Sequence, residues 1–180
     1  IKTIDELNAS LDHICEAPKD HGVISTLCYR PGFRKRVFAD QLSLSVADGV
    51  KGDRWKDYAW LKLEDDSPDP RIQVCILSKR VLDCVWREGD GVDYPGDTMI
   101  VDIDMSEDNL PTGSHLQAGS AVLEVTDFFN DACTKWEARY GKESRQWINL
   151  PENVPLRLRG LLCKIVTDGE VKRGDRLEKV

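Results

Sequence analysis

The chain has 180 residues, 41% apolar and 32% charged, with a formal net charge of −7. That describes an ordinary globular chain with enough material for one core, or one core with an appendage. The acidic balance, with no Lys/Arg-rich block, argues against nucleic acid and anionic membrane surfaces as partners, and it leaves an anionic ligand only where a local cationic pocket can hold one.

No run approaches about 18 apolar residues, so no transmembrane helix is expected, and the first residues lack the graded pattern of a signal peptide. Six cysteines lie at positions 15, 28, 75, 84, 133 and 163. None forms a C-x-x-C pair and their spacing matches no zinc pattern, so they read as reduced thiols of a cytoplasmic protein.

In chain order, Thr3 and Glu6 make a capping-box pattern, and Ile4, Leu7, Leu11 and Ile14 share one helical face. Residues 1–20 thus read as an N-terminal helix packed on the domain formed by 21–180. VISTLCYR is β-rich and stops at Pro31-Gly32, and RKRVFADQLSLSV holds short extended pieces. GVKGDRW, at 49–55, spaces two glycines ahead of Asp53 and Arg54, a tight turn presenting a charged pair. RIQVCIL reads as a buried strand. SKRVLDCVWREG reads as a helix capped by Ser78, with Val81, Leu82 and Val85 inward, and DGVDYPGD as a loop.

TMIVDIDM alternates, with Val101, Ile103 and Met105 on one face and Asp102 and Asp104 on the other. Two same-face aspartates suit a metal ion or, more commonly, a wet face. In the following loop Asn109 carries an amide that either orients a ligand or bonds its own turn.

The stretch EVTDFFNDACTKWEARYG, 124–141, organises the rest. A strand ending near Thr126 leads through Asn130-Asp131 to a helix on which Cys133, Trp136 and Tyr140 recur at helical spacing. Asn130 or Asp131 can cap it and Gly141 can end it. Cys133 then falls in the first helical turn, where unpaired N–H groups and the nearby Lys135 and Arg139 favour a thiolate. A small buried core thiol is the bland alternative. Further on, Arg157 and Arg159 stand two apart. On a strand they point the same way, as a bidentate phosphate grip or as an exposed pair. Asp168-Gly169 is a hairpin signal. Many short strands with few helices argue for a closed or partly closed β-barrel.

These segments, in this order, resemble the MOSC domain, named from the C-terminal domain of molybdenum cofactor sulfurase. GVKGDRW, RIQVCIL, YPGDTMIVDIDMSEDNLPTG, AGSAVLEVTDFFNDACTKW and the C-terminal RLRGLLCKIVTDGEVKRGDRLEKV carry the likeness, and the N-terminal segment is similar to small stand-alone bacterial members. The resemblance implies a mainly β, pyruvate-kinase-like barrel with a few flanking helices. It implies that Cys133 matches the family's cysteine, which ligates molybdenum in some members and was proposed to carry sulfur in others.

A molybdenum–pterin cofactor is therefore expected, with a small-molecule substrate such as an N-hydroxylated compound. The chain has no flavin or iron–sulfur motif, so an external reductase is needed, or a sulfur donor if Cys133 becomes a persulfide. A non-catalytic binding module is the third alternative. Pyridoxal phosphate, mentioned for the family, belongs to the desulfurase domain fused to MOSC in the parent enzyme. Candidate cofactor-binding residues are Arg54, Asn109, Thr126, Lys135 and Arg159, with Cys133 as metal ligand and catalytic residue. Where relatives carry an H-x-G-C pattern, this chain has Asn130-Asp131-Ala132-Cys133.

Overall fold

The computed structural model describes residues 2–86 and 94–180. The chain opens with two short helices, α1 (Ile4–Asn8) and α2 (Leu11–Cys15), not the single helix that the apolar spacing predicts. The Thr3–Glu6 capping box forms as expected. The break falls at Ala9-Ser10, where the Ser10 N–H bonds to Leu7 and its hydroxyl donates to the Glu6 carbonyl. A polar side chain that bonds backbone locally competes with helix continuation. Leu7 and Ile14 are still both buried.

The strands are β1 (Gly22–Tyr29), β2 (Val37–Ala39), β3 (Gln41–Ser45), β4 (Gly49–Val50), β5 (Val74–Ser78), β6 (Met99–Asp102), β7 (His115–Ala118), β8 (Ala121–Val125), β9 (Leu161–Thr167), β10 (Gly169–Lys172) and β11 (Arg176–Lys179). The large sheet runs β11-β7-β8-β9-β5-β6-β1, and β11 pairs back to β1 through Gly22↔Leu177 and Val23↔Arg176. Seven strands thus close into a barrel, with β2 added outside on β1. β5 and β6 are parallel, and among the described residues every other pairing around the barrel is antiparallel. A second sheet, β10-β3-β4, adds Leu42, Leu44 and Val171 to the same core. The mainly β barrel is therefore as expected. One detail differs: β10 follows β9 after Asp168 but pairs with β3, so Asp168-Gly169 makes no hairpin.

Alternation along the strands separates two cores. Val74 and Ile76 of β5, and Met99 and Val101 of β6, point into the barrel. Leu77 and Ile100 point outward to a layer of helices. That layer holds α1, α2, α4 (Lys79–Val85), α5 (Thr134–Tyr140) and α6 (Lys142–Ile148), packed through Leu7, Val81, Trp136 and Trp147. A short α3 (Trp55–Tyr58) lies elsewhere, against a smaller cluster of Trp55, Ile72, Cys75 and Leu162. α4 starts after Ser78 with Val81 and Leu82 buried and Val85 partly so. The end of its predicted span and the first half of the DGVDYPGD loop, residues 87–93, lie outside the described residues. No helix among the described residues is long and apolar enough to cross a membrane.

Asp102 and Asp104 do not act as a pair. Asp102 binds Arg80 at 2.7 Å, while Asp104 is buried and held by Lys19, so the alternating pattern ends at Asp102 and Asp104 leaves the wet face.

Candidate functional site

A cavity of about 450 Å³ lies outside the barrel, between the turn after β1, the start of α3, the segment 95–97 and helix α5. Its lining is strongly polarised. Among the described residues it takes eight cationic side chains and one carboxylate, Asp97, in a chain whose net charge is −7. Four of the cations, Arg30, Arg34, Lys35 and Arg36, come from a single stretch of seven residues, RPGFRKR. From sequence, this stretch reads as a turn with short extended pieces, in a chain without a Lys/Arg-rich block. The density of basic residues around one Pro-Gly turn is the signal in the sequence for this site.

The GVKGDRW segment positions this stretch. Gly52 has φ +84°, and a Cβ there would come within 3.0 Å of the Tyr29 ring. Glycine is therefore required for the turn to fold back against the end of β1. The turn brings Asp53 onto Arg30, whose backbone N–H and Nε both donate to one carboxylate oxygen at 2.7 and 3.2 Å. The other oxygen accepts from the Trp55 N–H at the start of α3. Burial opposes the charge on Arg30, but the groups around it, Asp53 foremost and then Asp97, together raise the pKa of the guanidinium. The Arg54 N–H donates to the Arg30 carbonyl, which carries Arg54 to the cavity rim. The charged pair expected from this turn is thus split: Asp53 is structural and Arg54 faces the pocket.

At the rim Phe33 is 64% exposed, yet three cations lie over its ring: Arg34, Arg54 and Lys135, at 5.5, 5.9 and 5.2 Å from the centroid. Cation–π attraction gathers these charges around one ring. No carboxylate is paired with Arg34, Arg54 or Lys135 among the described residues.

At the floor, Arg159 donates to Asp97 at 2.6 Å and stacks on Trp136 at 4.9 Å. Burial disfavours its charge, but the groups around it, Asp97 foremost, together raise its pKa. The same carboxylate oxygen accepts from the Cys75 thiol at 2.8 Å. Burial, then the charge of Asp97, pushes the Cys75 thiol up to about 12, so it acts as a hydrogen-bond donor and not a nucleophile. Gly160 fixes this arrangement: it has φ +91°, and a Cβ there would stand 1.9 Å from the Ile76 carbonyl oxygen of β5.

Cys133 is exposed and lines the cavity. It is not in the first turn of a helix, as its spacing predicts, but is itself the capping residue of α5, with extended backbone and a carbonyl accepting from Trp136 and Glu137. Neither Asn130 nor Asp131 caps the helix. The Asn130 amide donates to the Arg159 carbonyl at 3.0 Å and approaches the Cys75 sulfur at 3.4 Å. Ala132 is buried, its carbonyl taken by Arg145 and Asn149. The residues before Cys133 thus tie it to the pocket floor. Gly141 does end α5, and it also starts α6.

Of the candidates from sequence, Arg54, Lys135 and Arg159 come together with Cys133 around this cavity, and Asn109 and Thr126 do not line it. Asn109 donates to the carbonyls of Lys19 and Asp104 and accepts from Lys179, the bonding of a turn residue. Thr126 is buried, its hydroxyl directed at the Arg71 and Leu162 carbonyls. Arg157 and Arg159 do not share a face. Arg157 sits in the left-handed region at the end of a 3-10 turn, and its guanidinium goes to the Leu110 carbonyl, so no strand sets their relative direction. Sequence reasoning missed Phe33, Asp97 and the cations of 30–36. Among the described residues no three His, Cys, Asp or Glu side chains gather as a metal site.

No family model and no curated protein sequence matches the chain. Solved structures do. A hypothetical protein shares 16% identity over 90% of this chain and 70% of its own, with a TM-score of 0.61. The YuaD protein from Bacillus subtilis shares 17% identity over 88% of this chain and 94% of its own, at 0.57. YiiM from Escherichia coli shares 18% over 87% and 69%, at 0.56. YuaD and YiiM are MOSC-domain-type proteins, and at such identities the likeness speaks for architecture: the closed barrel with its helical layer is a MOSC-like fold.

Proposed function

We propose that this protein holds an anionic molybdenum–pterin cofactor in the cationic pocket, with Cys133 as its ligand to the metal. The observation that carries this reading is an exposed thiol on the wall of a cavity lined, among the described residues, by eight cations and one carboxylate. The donor set fits such a group. A soft metal prefers thiolate, and here it would have Cys133 as a single protein ligand, because no further His, Cys or carboxylate cluster is at hand among the described residues. The remaining soft donors must then arrive with the metal, as they do in a pterin dithiolene. Arg54 and Lys135 at the rim would meet the phosphate tail, and Arg159 is held rigidly enough to orient it.

When bound, the cofactor would supply two-electron redox chemistry. A fitting reaction is the reduction of an N-hydroxylated compound to the amine and water, with two electrons from an external reductase and two protons from solvent. The chain itself would bind and orient: it neutralises the phosphate, presents the thiol, and shields one side of the site with Trp136 and Phe33.

Metal and phosphate analysis of the protein made in a host competent for molybdenum cofactor synthesis tests this. Roughly stoichiometric molybdenum in the wild type and its loss in Cys133→Ala are expected. Metal retained by Cys133→Ala would overturn the assignment. Metal-free wild type with Cys133 one sulfur atom heavier by mass spectrometry would replace it with a sulfur carrier.

A further inference from the structure

Tyr140, the last residue of α5, is 4% exposed and lines the same cavity, yet its hydroxyl has no hydrogen-bond partner among the described residues. Only Ser78 shares that condition there. A buried, unpaired hydroxyl is destabilising and calls for a cause. The ring is buried and closely packed. It packs edge-on to Trp136 at 4.5 Å, and Trp136 is itself pinned by Ser144 at 2.8 Å and covered by Arg159.

The charged groups that the phenol senses are Asp97, Arg139, Arg159 and Arg36, and all four line the cavity. Burial, and then Asp97, holds its pKa above the ordinary phenol value, so at neutral pH it is an uncharged O–H. Arginines donate hydrogen bonds and cannot accept them. The Oδ1 atom of Asp97 already accepts from Arg159 and Cys75, and Tyr140 makes no hydrogen bond to this carboxylate. What the hydroxyl lacks is an acceptor, and the charge around it selects an anionic one.

We propose that Tyr140 is a ligand-binding residue whose hydroxyl donates to an anionic oxygen of a phosphate-type group seated at the floor of this pocket. The inference rests on the pocket being an anion site, as the proposed function has it, but not on a metal. It makes the floor, and not only the rim, the place where the phosphate is recognised.

Inorganic pyrophosphate, titrated calorimetrically into the full metal-free chain at low salt, is the probe. Wild type is expected to bind, and Tyr140→Phe to bind about ten- to a hundredfold more weakly, the range for a hydrogen bond to a charged acceptor. The ligand-free variant is expected to melt at the same temperature or a few degrees higher, since the substitution removes an unpaired hydroxyl. A purely structural tyrosine would instead lower the melting temperature and leave affinity alone.

Wild-type affinity in a folded Tyr140→Phe overturns the proposal, as does a wild type that ignores pyrophosphate. Should the variant not fold, tyrosine labelled with carbon-13 at Cζ in the wild type decides: the Tyr140 resonance must shift on saturation, and a stationary one overturns the proposal. Neither measurement reads molybdenum, so failure here leaves the assignment of Cys133 standing, and a metal-free protein leaves this one standing.

Discussion

Arg157 and Arg159 stand two residues apart, and their guanidiniums enter opposite kinds of neighbourhood. Arg157 reaches the Leu110 carbonyl in a loop where Asn109 bonds Lys19, Asp104 and Lys179, and where Asp104 accepts from Lys19 and the Ser106 N–H. Those polar groups bond one another, and the cavity beside Asp104 and Arg157, where the Ser78 hydroxyl is also unpaired, has only about 10 Å³, too little for a ligand. Arg159 enters a cavity where, among the described residues, cations outnumber carboxylates eight to one and the buried Tyr140 hydroxyl has no partner. The first region spends its hydrogen-bonding capacity on holding a loop. The second sets an unpaired hydroxyl beside a cavity of about 450 Å³, and that combination of unmet bonding and room marks the site more clearly than any residue type does.

The sharpest way to break the contrast is Asp97→Ala. It leaves the Arg159 guanidinium buried without its counterion and Cys75 without its acceptor. A loss of about 3–5 kcal/mol is expected in urea unfolding, the usual result of removing one partner of a buried ion pair. A smaller loss in the presence of pyrophosphate would show a ligand anion taking over part of the carboxylate's role.

Next in size is Asn109→Ala, which should lower stability by about 1–3 kcal/mol through its lost bonds to the backbone and Lys179. Pyrophosphate affinity should not move. If it falls, the two regions communicate and the contrast is false.

Phe33→Ala acts on the rim alone. Each cation gathered by the ring gains roughly 0.5–1 kcal/mol at an exposed site, so affinity for pyrophosphate should fall about two- to fivefold. The measurement is the same titration at two salt concentrations, with fold stability unchanged.

The smallest effect on stability is expected from Cys133→Ala, within about 0.5 kcal/mol because the side chain is exposed. Its signature is chemical. In native wild type, Cys133 and Cys15 should react with a thiol reagent, while the buried Cys28, Cys75 and Cys163 wait for unfolding. Burial drives the Cys28 thiol up to about 11 and Cys75 up to about 12. Early labelling of Cys75 would mean an open floor.

The barrel was legible because its code is local. Period-two alternation in β8 and the β-rich C-terminal run can be read a few residues at a time, and the order of motifs supplied the architecture. The site was half legible. Cys133, Lys135 and Arg159 belong to segments whose chemistry shows in place. Asp97 and Tyr140 gain meaning from partners far along the chain, as Asp97 does from Arg159 and Cys75. Arg157 misleads because its direction depends on a left-handed residue after a 3-10 turn, which no strand pattern announces. Asn109 misleads because its partners, Lys19 and Lys179, come from opposite ends of the chain.

The seam between β1 and β11 has a consequence for how the molecule is made. It joins Gly22 to Leu177, so the barrel cannot close on the ribosome until nearly the whole of this chain has emerged. Contacts of such long sequence separation form late and slowly. Until then the nascent chain carries a finished first strand with a vacant edge, open to pairing with a neighbour of its own kind. Yield in the cell should therefore depend on elongation speed and chaperone supply more than on the stability of the finished barrel.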